Sequence, residues 1–336
     1  MIILTNGLTR TATEGSQNVA SSLIRRIKKA RPETMVVTYG QGTAESDLYL
    51  PLNKLFLNVS LIRLILKKRQ PVLYVPTPTR MLPVAVRIFV LSRYARWGLK
   101  TLLAMTGEWN SAARFLLKIS SGEILVTSRQ AYKRLLPIVG DRVRYLQTGV
   151  DTSRFCPVEP EQKVLLRQKY GIPADKKVVL HVGHMKAGRN IGRLLELDDS
   201  WHCLLAVSTQ SAGEQDLQLR QRFLEKDNVT LLETYLPDIQ ELYQLADVYL
   251  FPVVEAGNCI DVPLSALEAA SCGIPVVATA YGELRELMQE PGFYPIPSFD
   301  PPMLSALLTR AVEEKISPRQ SALGYDWNIA TDMLLL

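Results

Sequence analysis

Cysteine is scarce in this chain, and negative charge is scarce in its first half. The four cysteines, Cys156, Cys203, Cys259 and Cys272, form no Cys-x-x-Cys pair and no metal-ligand spacing. That pattern argues against a disulfide framework or a zinc centre and for reduced core thiols in a cytoplasmic chain. Residues 1–150 hold 7 Asp and Glu against 23 Lys and Arg, a net of +16, whereas residues 151–336 hold 26 against 16, a net of −10. So few acids exclude a self-neutralising surface in the first half and call for an acidic partner, either nucleic acid or an anionic membrane. No recognised nucleic-acid motif is present, which favours the membrane. Long apolar runs are missing too. The most apolar stretch, Met81–Leu91, is broken by Arg87 and is too short to cross a bilayer. The opening MIILTNG has the pattern of a strand entering a turn, not of a signal peptide. There is no internal repeat and no low-complexity segment.

What is present is an α/β alternation long enough for two domains, since 336 residues exceed what one core usually holds. Apolar runs at Ile2–Leu4, Met35–Thr38, Val72–Val75, Leu102–Met105 and Ile124–Thr127 predict buried parallel strands in the first half. Helical patterns lie between them at Ser16–Lys29, Leu52–Lys68, Arg80–Arg96, Ser111–Ile119 and Arg129–Ile138. The second half predicts strands at Val178–Val182, Leu204–Val207, Val229–Leu232, Val248–Phe251 and Val276–Thr279. The expected division is a first domain over 1–150, a linker over 151–176, a second domain over 177–318 and a helix in 319–336 returning to the first. In that linker Gly149 is expected to use a positive φ and Phe155 to anchor by packing.

The most informative segment is 246–279, ADVYLFPVVEAGNCIDVPLSALEAASCGIPVVAT. It predicts strand, acidic loop, helix and strand, with Pro263 in the first helical turn and a stop at Gly273. A strand feeding a loop and a helix N-terminus offers free backbone N–H groups at the carboxyl edge of the sheet, where phosphates bind. Leu264 and Ser265 would supply such groups. Glu255, Asp261 and Glu268 are carboxylate acceptors suited to hydroxyls. Asp261 is also placed as a helix-start acid favoured by the dipole, and Glu255 is an equal candidate for the same role. After the first strand of the second domain comes a basic turn, His184 to Asn190, in which Lys186 and Arg189 could face an anion or simply be solvated. Ser16 could be an N-cap and nothing more.

These residues resemble the retaining glycosyltransferases of family 4. The resemblance rests on Phe251-Pro252, Pro263, Leu267-Glu268-Ala269 and Cys272-Gly273-Ile274-Pro275-Val276-Val277. It rests also on Thr148-Gly149-Val150-Asp151-Thr152-Ser153-Arg154-Phe155-Cys156-Pro157, on Val229-Thr230-Leu231, Leu242-Tyr243 and Ala246-Asp247-Val248, and on a late Asp326-Trp327-Asn328-Ile329-Ala330. It covers residues 123–285 well and residues 1–122 poorly.

The family implies an α/β GT-B fold, two Rossmann-like domains with parallel sheets facing a central cleft. It implies transfer of a sugar from a UDP- or GDP-linked donor with retention, without a cofactor or a required metal. Arg189 and Lys186 would then grip the diphosphate, with His184 at the position of the family's arginine. Asp261 or Glu255 would be the first acid of the donor site; the family has seven residues between its two glutamates. Glu268 would hold the ribose. Gly257 and Asn258 stand in the place of a Gly-Phe-Gly loop. Leu236 completes the nucleotide set, and Gly15 and Ser16 would approach the phosphates from the first domain. Thr106-Gly107-Glu108 stands where many relatives place a histidine. The expected acceptor is a glycan or lipid at the cytoplasmic membrane face, reached through cations at 63–69 and 80–100. A nucleotide-sugar epimerase and a non-catalytic scaffold subunit are the alternatives, and the oligomeric state is open.

Overall fold

The computed structural model describes residues 1–6, 8, 15–39, 46–51, 53, 55–56, 58–77, 80–207, 216–255 and 259–335. They form two compact units, one of 1–148 with 260–262 and 327–336, the other of 149–259 with 263–326.

The first unit is built on a parallel sheet of seven strands: β1 (Ile2–Thr5), β2 (Met35–Thr38), β3 (Leu48–Tyr49), β4 (Val72–Val75), β5 (Leu99–Leu103), β6 (Glu123–Val126) and β7 (Val143–Tyr145). Their order is β3-β2-β1-β4-β5-β6-β7. β1 and β4 are buried along their whole length, as strands covered by helices on both faces must be. Two expectations shift. The helix expected from Leu52 begins only at Val59, because the side chain of Asn58 accepts hydrogen bonds from the amides of Ser60 (2.8 Å) and Leu61 (3.2 Å) and caps it there. The strand expected at Leu102–Met105 starts earlier, at Leu99, directly after Gly98 turns the chain with φ 119°. The C-terminal helix Trp327–Leu335 packs on the helix Gly15–Ala30, where Arg31 donates to the carbonyl of Leu335 at 2.7 Å.

The second unit carries a parallel sheet of β8 (Lys177–Gly183), β9 (Trp201–Val207), β10 (Val229–Leu232), β11 (Val248–Phe251), β12 (Val276–Ala278) and β13 (Phe293–Pro295), in the order β10-β9-β8-β11-β12-β13. Both orders follow the doubly wound pattern, with a reversal between the two central strands. Segment 149–176 lies inside this unit. Its helix Pro160–Lys169 is tied to the start of β11 by Asp247, which pairs with Lys163 at 2.7 Å and with Arg167 at 2.6 Å and accepts the amide of Val178 at 2.7 Å. Arg319 donates to the carbonyls of Thr152 (3.3 Å) and Phe155 (3.2 Å), which secures the Gly-Val-Asp-Thr stretch. Gly149 does not use a positive φ. It is needed for close approach instead: a Cβ there would lie 2.5 Å from Cδ1 of Leu267 and 3.0 Å from Cβ of Tyr325.

Among the described residues no helix is long and apolar enough to cross a membrane.

Candidate functional site

In a doubly wound sheet, connections leave in opposite directions at the reversal and open a crevice beyond the strand ends. In the second unit that point lies between β8 and β11, and the candidate residues converge on it. Helix Leu264–Ser271 begins there with Pro263 as its N-cap, one residue later than expected, and with no side chain capping its first turn. It ends before Gly273, whose φ is 82°. An uncapped start leaves amide hydrogens directed at the crevice.

Two buried tyrosines tie Ser265 to the sheet and Glu268 to the helix Gln240–Leu245. The hydroxyl of Tyr249, on β11, donates to Oγ of Ser265 at 2.7 Å, and the hydroxyl of Tyr243 donates to Oε2 of Glu268 at 2.6 Å. The two rings are 5.8 Å apart. Burial pushes the Glu268 carboxyl above the ordinary carboxylate range, and the Tyr243 hydrogen bond and the Arg154 charge oppose that shift. Tyr243 thus orients Glu268, whose carboxylate keeps further lone pairs with which to accept.

From the other side the chain leaves β8 at Gly183 and makes a tight turn. The Arg189 amide donates to the Lys186 carbonyl at 3.0 Å. This turn folds the Arg189 side chain back over the strand end. It is only 8% exposed, and its Nε is buried with no hydrogen-bond partner. Lys186 and His184 are half-buried beside it. Burial, then the charges of Arg189 and Lys186, lower the His184 pKa to about 4. At neutral pH His184 is an uncharged donor or acceptor, unlike the arginine of the family pattern. Leu236 is half-buried in the segment after β10.

The acids separate. Glu255 is exposed. Asp261 belongs with the first unit: its Oδ2 accepts from the hydroxyls of Thr106 at 2.6 Å and Ser128 at 3.4 Å, beyond the ends of β5 and β6. Burial raises its carboxyl pKa, against the pull of those donors. It does not start the helix. The residue with seven others between it and Glu268 is Ile260, which is buried, and its Cδ1 would lie 3.0 Å from a Cβ on Gly15. Ser16 follows Gly15 in the first turn of its helix. Thr106 serves Asp261, and Glu108 is exposed. Gly257 and Asn258, like Thr13 and Glu14, lie outside the described residues. Among the described residues no group of three or more His, Cys, Asp and Glu is placed to hold a metal.

Residues 176–314 match the sequence profile of the family described as Glycosyl transferases group 1. That segment resembles the group 1 glycosyl transferases. The chain is similar to the GDP-mannose-dependent monoacylated alpha-(1-6)-phosphatidylinositol monomannoside mannosyltransferase of Corynebacterium glutamicum, 26% identical over 54% of this chain and 49% of that protein. It is similar also to O-antigen chain mannosyltransferase B of Escherichia coli, 26% identical over 58% of this chain and 53% of that one. The matched stretch thus spans about half the length of each relative. Anabaena Alr3699/HepE, solved in complex with UDP, superposes over 99% of this chain and 98% of its own with TM-score 0.79 at 16% identity. The fold of the chain is therefore GT-B, as its motifs imply.

Sequence reasoning passed over Gly183, His181, Tyr243 and Tyr249. The available signals were a histidine within the apolar run of β8 and tyrosines within the Leu-Tyr and Val-Tyr-Leu-Phe stretches. His181 is fully buried, and burial, assisted by the Arg189 charge, lowers its pKa to about 4 against the hydrogen bond to Leu250. The unfolded chain takes up a proton near pH 6.5 that the folded chain refuses, so wild type loses stability as pH falls from about 6.5 toward 4. His181→Phe is expected to gain on wild type across that window, by up to about 1.4 kcal/mol per pH unit. Urea unfolding at several pH values measures the difference, and parallel profiles would show that the ring titrates normally.

Glu268→Ala is expected to weaken nucleotide binding by about 1.5–3 kcal/mol, the worth of a charge-assisted hydrogen bond. Isothermal titration with UDP and GDP measures it. Unchanged affinity in a folded variant removes Glu268 from the site.

Proposed function

We propose that this protein is a retaining glycosyltransferase that moves a sugar from a UDP- or GDP-linked donor to a lipid-associated acceptor in glycolipid or polysaccharide synthesis. The observation that carries the reading is Arg189, a buried guanidinium with an unpartnered Nε at the reversal of the second sheet. A fixed cation there, with Lys186 and the open start of helix Leu264–Ser271, suits a departing diphosphate. Glu268 suits the ribose hydroxyls. These groups supply the positive charge from the protein itself, so the reaction needs no added metal. The relatives act with GDP-mannose on a phosphatidylinositol mannoside, and on an O-antigen chain, and a UDP complex is known for a protein of the same fold. A thermal-shift panel of UDP, GDP, ADP and their sugars tests the reading. A melting temperature that none of them moves would count against it, in favour of a scaffold role. Nucleotide release that does not depend on an acceptor, with an altered free sugar, would favour the epimerase.

The charge of the first unit supports an acceptor at an anionic membrane. No Asp or Glu occurs between Asp47 and Glu108. Arg63, Lys67, Lys68 and Arg69 are exposed around Leu66, and Arg80, Arg93, Arg96 and Trp97 are exposed as well. Three of the cations expected at the surface have partners within the protein, and one of them, Arg93, donates to the carbonyl of Ile119 at 3.0 Å and lies 4.3 Å from the ring of Phe89. Arg87 lies 5.0 Å from the ring of Phe56, and Lys100 donates to the carbonyl of Leu334 at 3.2 Å. Each exposed cation near anionic lipid contributes about 1 kcal/mol, enough together for reversible attachment. Flotation with liposomes should give recovery that rises with phosphatidylserine content and falls with salt. Equal recovery with neutral and anionic vesicles would sink the electrostatic account.

A further inference from the structure

His181 sits where an apolar side chain would satisfy the strand. Its Nδ1 stands 2.9 Å from the carbonyl oxygen of Leu250, across the β8–β11 reversal. A carbonyl only accepts, so Nδ1 carries the proton, and Nε2 of the neutral ring is a bare lone pair. That Nε2 is buried and has no hydrogen-bond partner.

Nε2 borders the space above Gly183. A Cβ built on Gly183 would lie 3.1 Å from it, and nearer still to Nη1 of Arg189. The lone pair and the guanidinium therefore flank one small gap, open only because residue 183 has no side chain. On another face the ring meets Tyr249, stacked at 6.3 Å and 11°, and in the sheet His181 stands in register with Leu205 of β9. Arg189 is the charged group at this corner, and its field helps to keep the ring neutral.

We propose that His181 is a positioning residue whose Nε2 lone pair, facing the guanidinium across the Gly183 gap, holds Arg189 in the orientation that meets the donor diphosphate. This rests on the nucleotide-sugar reading given above. A guanidinium has five N–H donors in a planar fork, so it can face the imidazole with one edge and an anion with the other. A neutral acceptor suits this position better than a carboxylate would, since it orients the arginine without cancelling the charge that the diphosphate requires.

The experiment uses the full chain, labelled with 15N, as wild type, His181→Phe, His181→Gln and Arg189→Met. Imidazole nitrogen spectra without ligand should show His181 protonated on Nδ1, with an Nε2 resonance that moves in Arg189→Met. Turnover is followed as nucleotide release from UDP-glucose and GDP-mannose. His181→Phe keeps the ring volume and stacking but removes the lone pair. It should lower kcat about 10-fold, the scale of a modest misplacement of a reacting group, with KM within about 2-fold and the melting temperature no lower. His181→Gln restores an acceptor and should return kcat to within about 3-fold of wild type. A proton on Nε2, an Nε2 resonance indifferent to Arg189→Met, or wild-type kcat in His181→Phe would each overturn the proposal. Wild type that binds neither UDP nor GDP would overturn the nucleotide reading instead, while the spectra would still decide whether the His181–Arg189 pair exists.

Discussion

Arg189→Ala is expected to lower kcat by about 100-fold or more, the scale seen when one preorganised group that meets developing transition-state charge is removed. The expected loss is in kcat rather than in KM alone, because negative charge on the diphosphate grows as the glycosidic bond breaks. The structure makes this group rigid: the side chain is 8% exposed, it folds back from a tight turn, and it occupies the space left by Gly183. A solvated lysine at the same turn would have to be oriented during the reaction. Added divalent metal is expected not to restore the rate, since the missing charge is a fixed donor array and not a mobile ion. Steady-state kinetics with the sugar nucleotide that wild type turns over measures both constants. Normal kcat with a raised KM would show that Arg189 binds ground state and transition state alike.

Asp247→Ala should cost about 3 kcal/mol of folding stability, the lower end of what breaking a buried ion pair costs when its partner is left behind. Asp247 pairs with two cations and accepts the first interior amide of β8. Arg167 has a side chain only 10% exposed, and its remaining partners are carbonyl groups, those of Leu245, Ala174 and Lys176. Those carbonyls cannot neutralise it. The Ala-Asp-Val motif therefore keeps its aspartate for the fold: it ties helix Pro160–Lys169 to the central strands and leaves the site to other residues. Urea unfolding measures the loss, and a change under about 1 kcal/mol would mean that the carbonyls suffice.

Much of the architecture was legible because strand and helix patterns are local. The strands Met35–Thr38, Val72–Val75, Val229–Leu232 and Val248–Phe251 stand where their apolar runs place them. The strands β3, β7 and β13 were not legible, since they have two or three residues at or near the sheet edges and carry no periodicity. The surroundings of Glu268 were legible for the same local reason: Ser265 and Glu268 share one short helix with a visible start and stop. Asp261 illustrates the opposite case. Its neighbours in sequence placed it at the helix start, but its oxygens accept from Thr106 and Ser128, separated from it by 155 and 133 positions.

By itself the sequence determined the α/β class, the division of charge between the halves, and the helix that carries Ser265 and Glu268. Each follows from residues within a few positions of one another, whose dihedral preferences and periodicity act before any distant contact forms. Only the tertiary structure decided that Asp261 counts with the first unit, that Ile260 packs against Gly15, and that Gly183 admits Arg189 beside His181. Those pairings depend on strand order and on the space that close packing leaves, and neither is encoded in the local pattern.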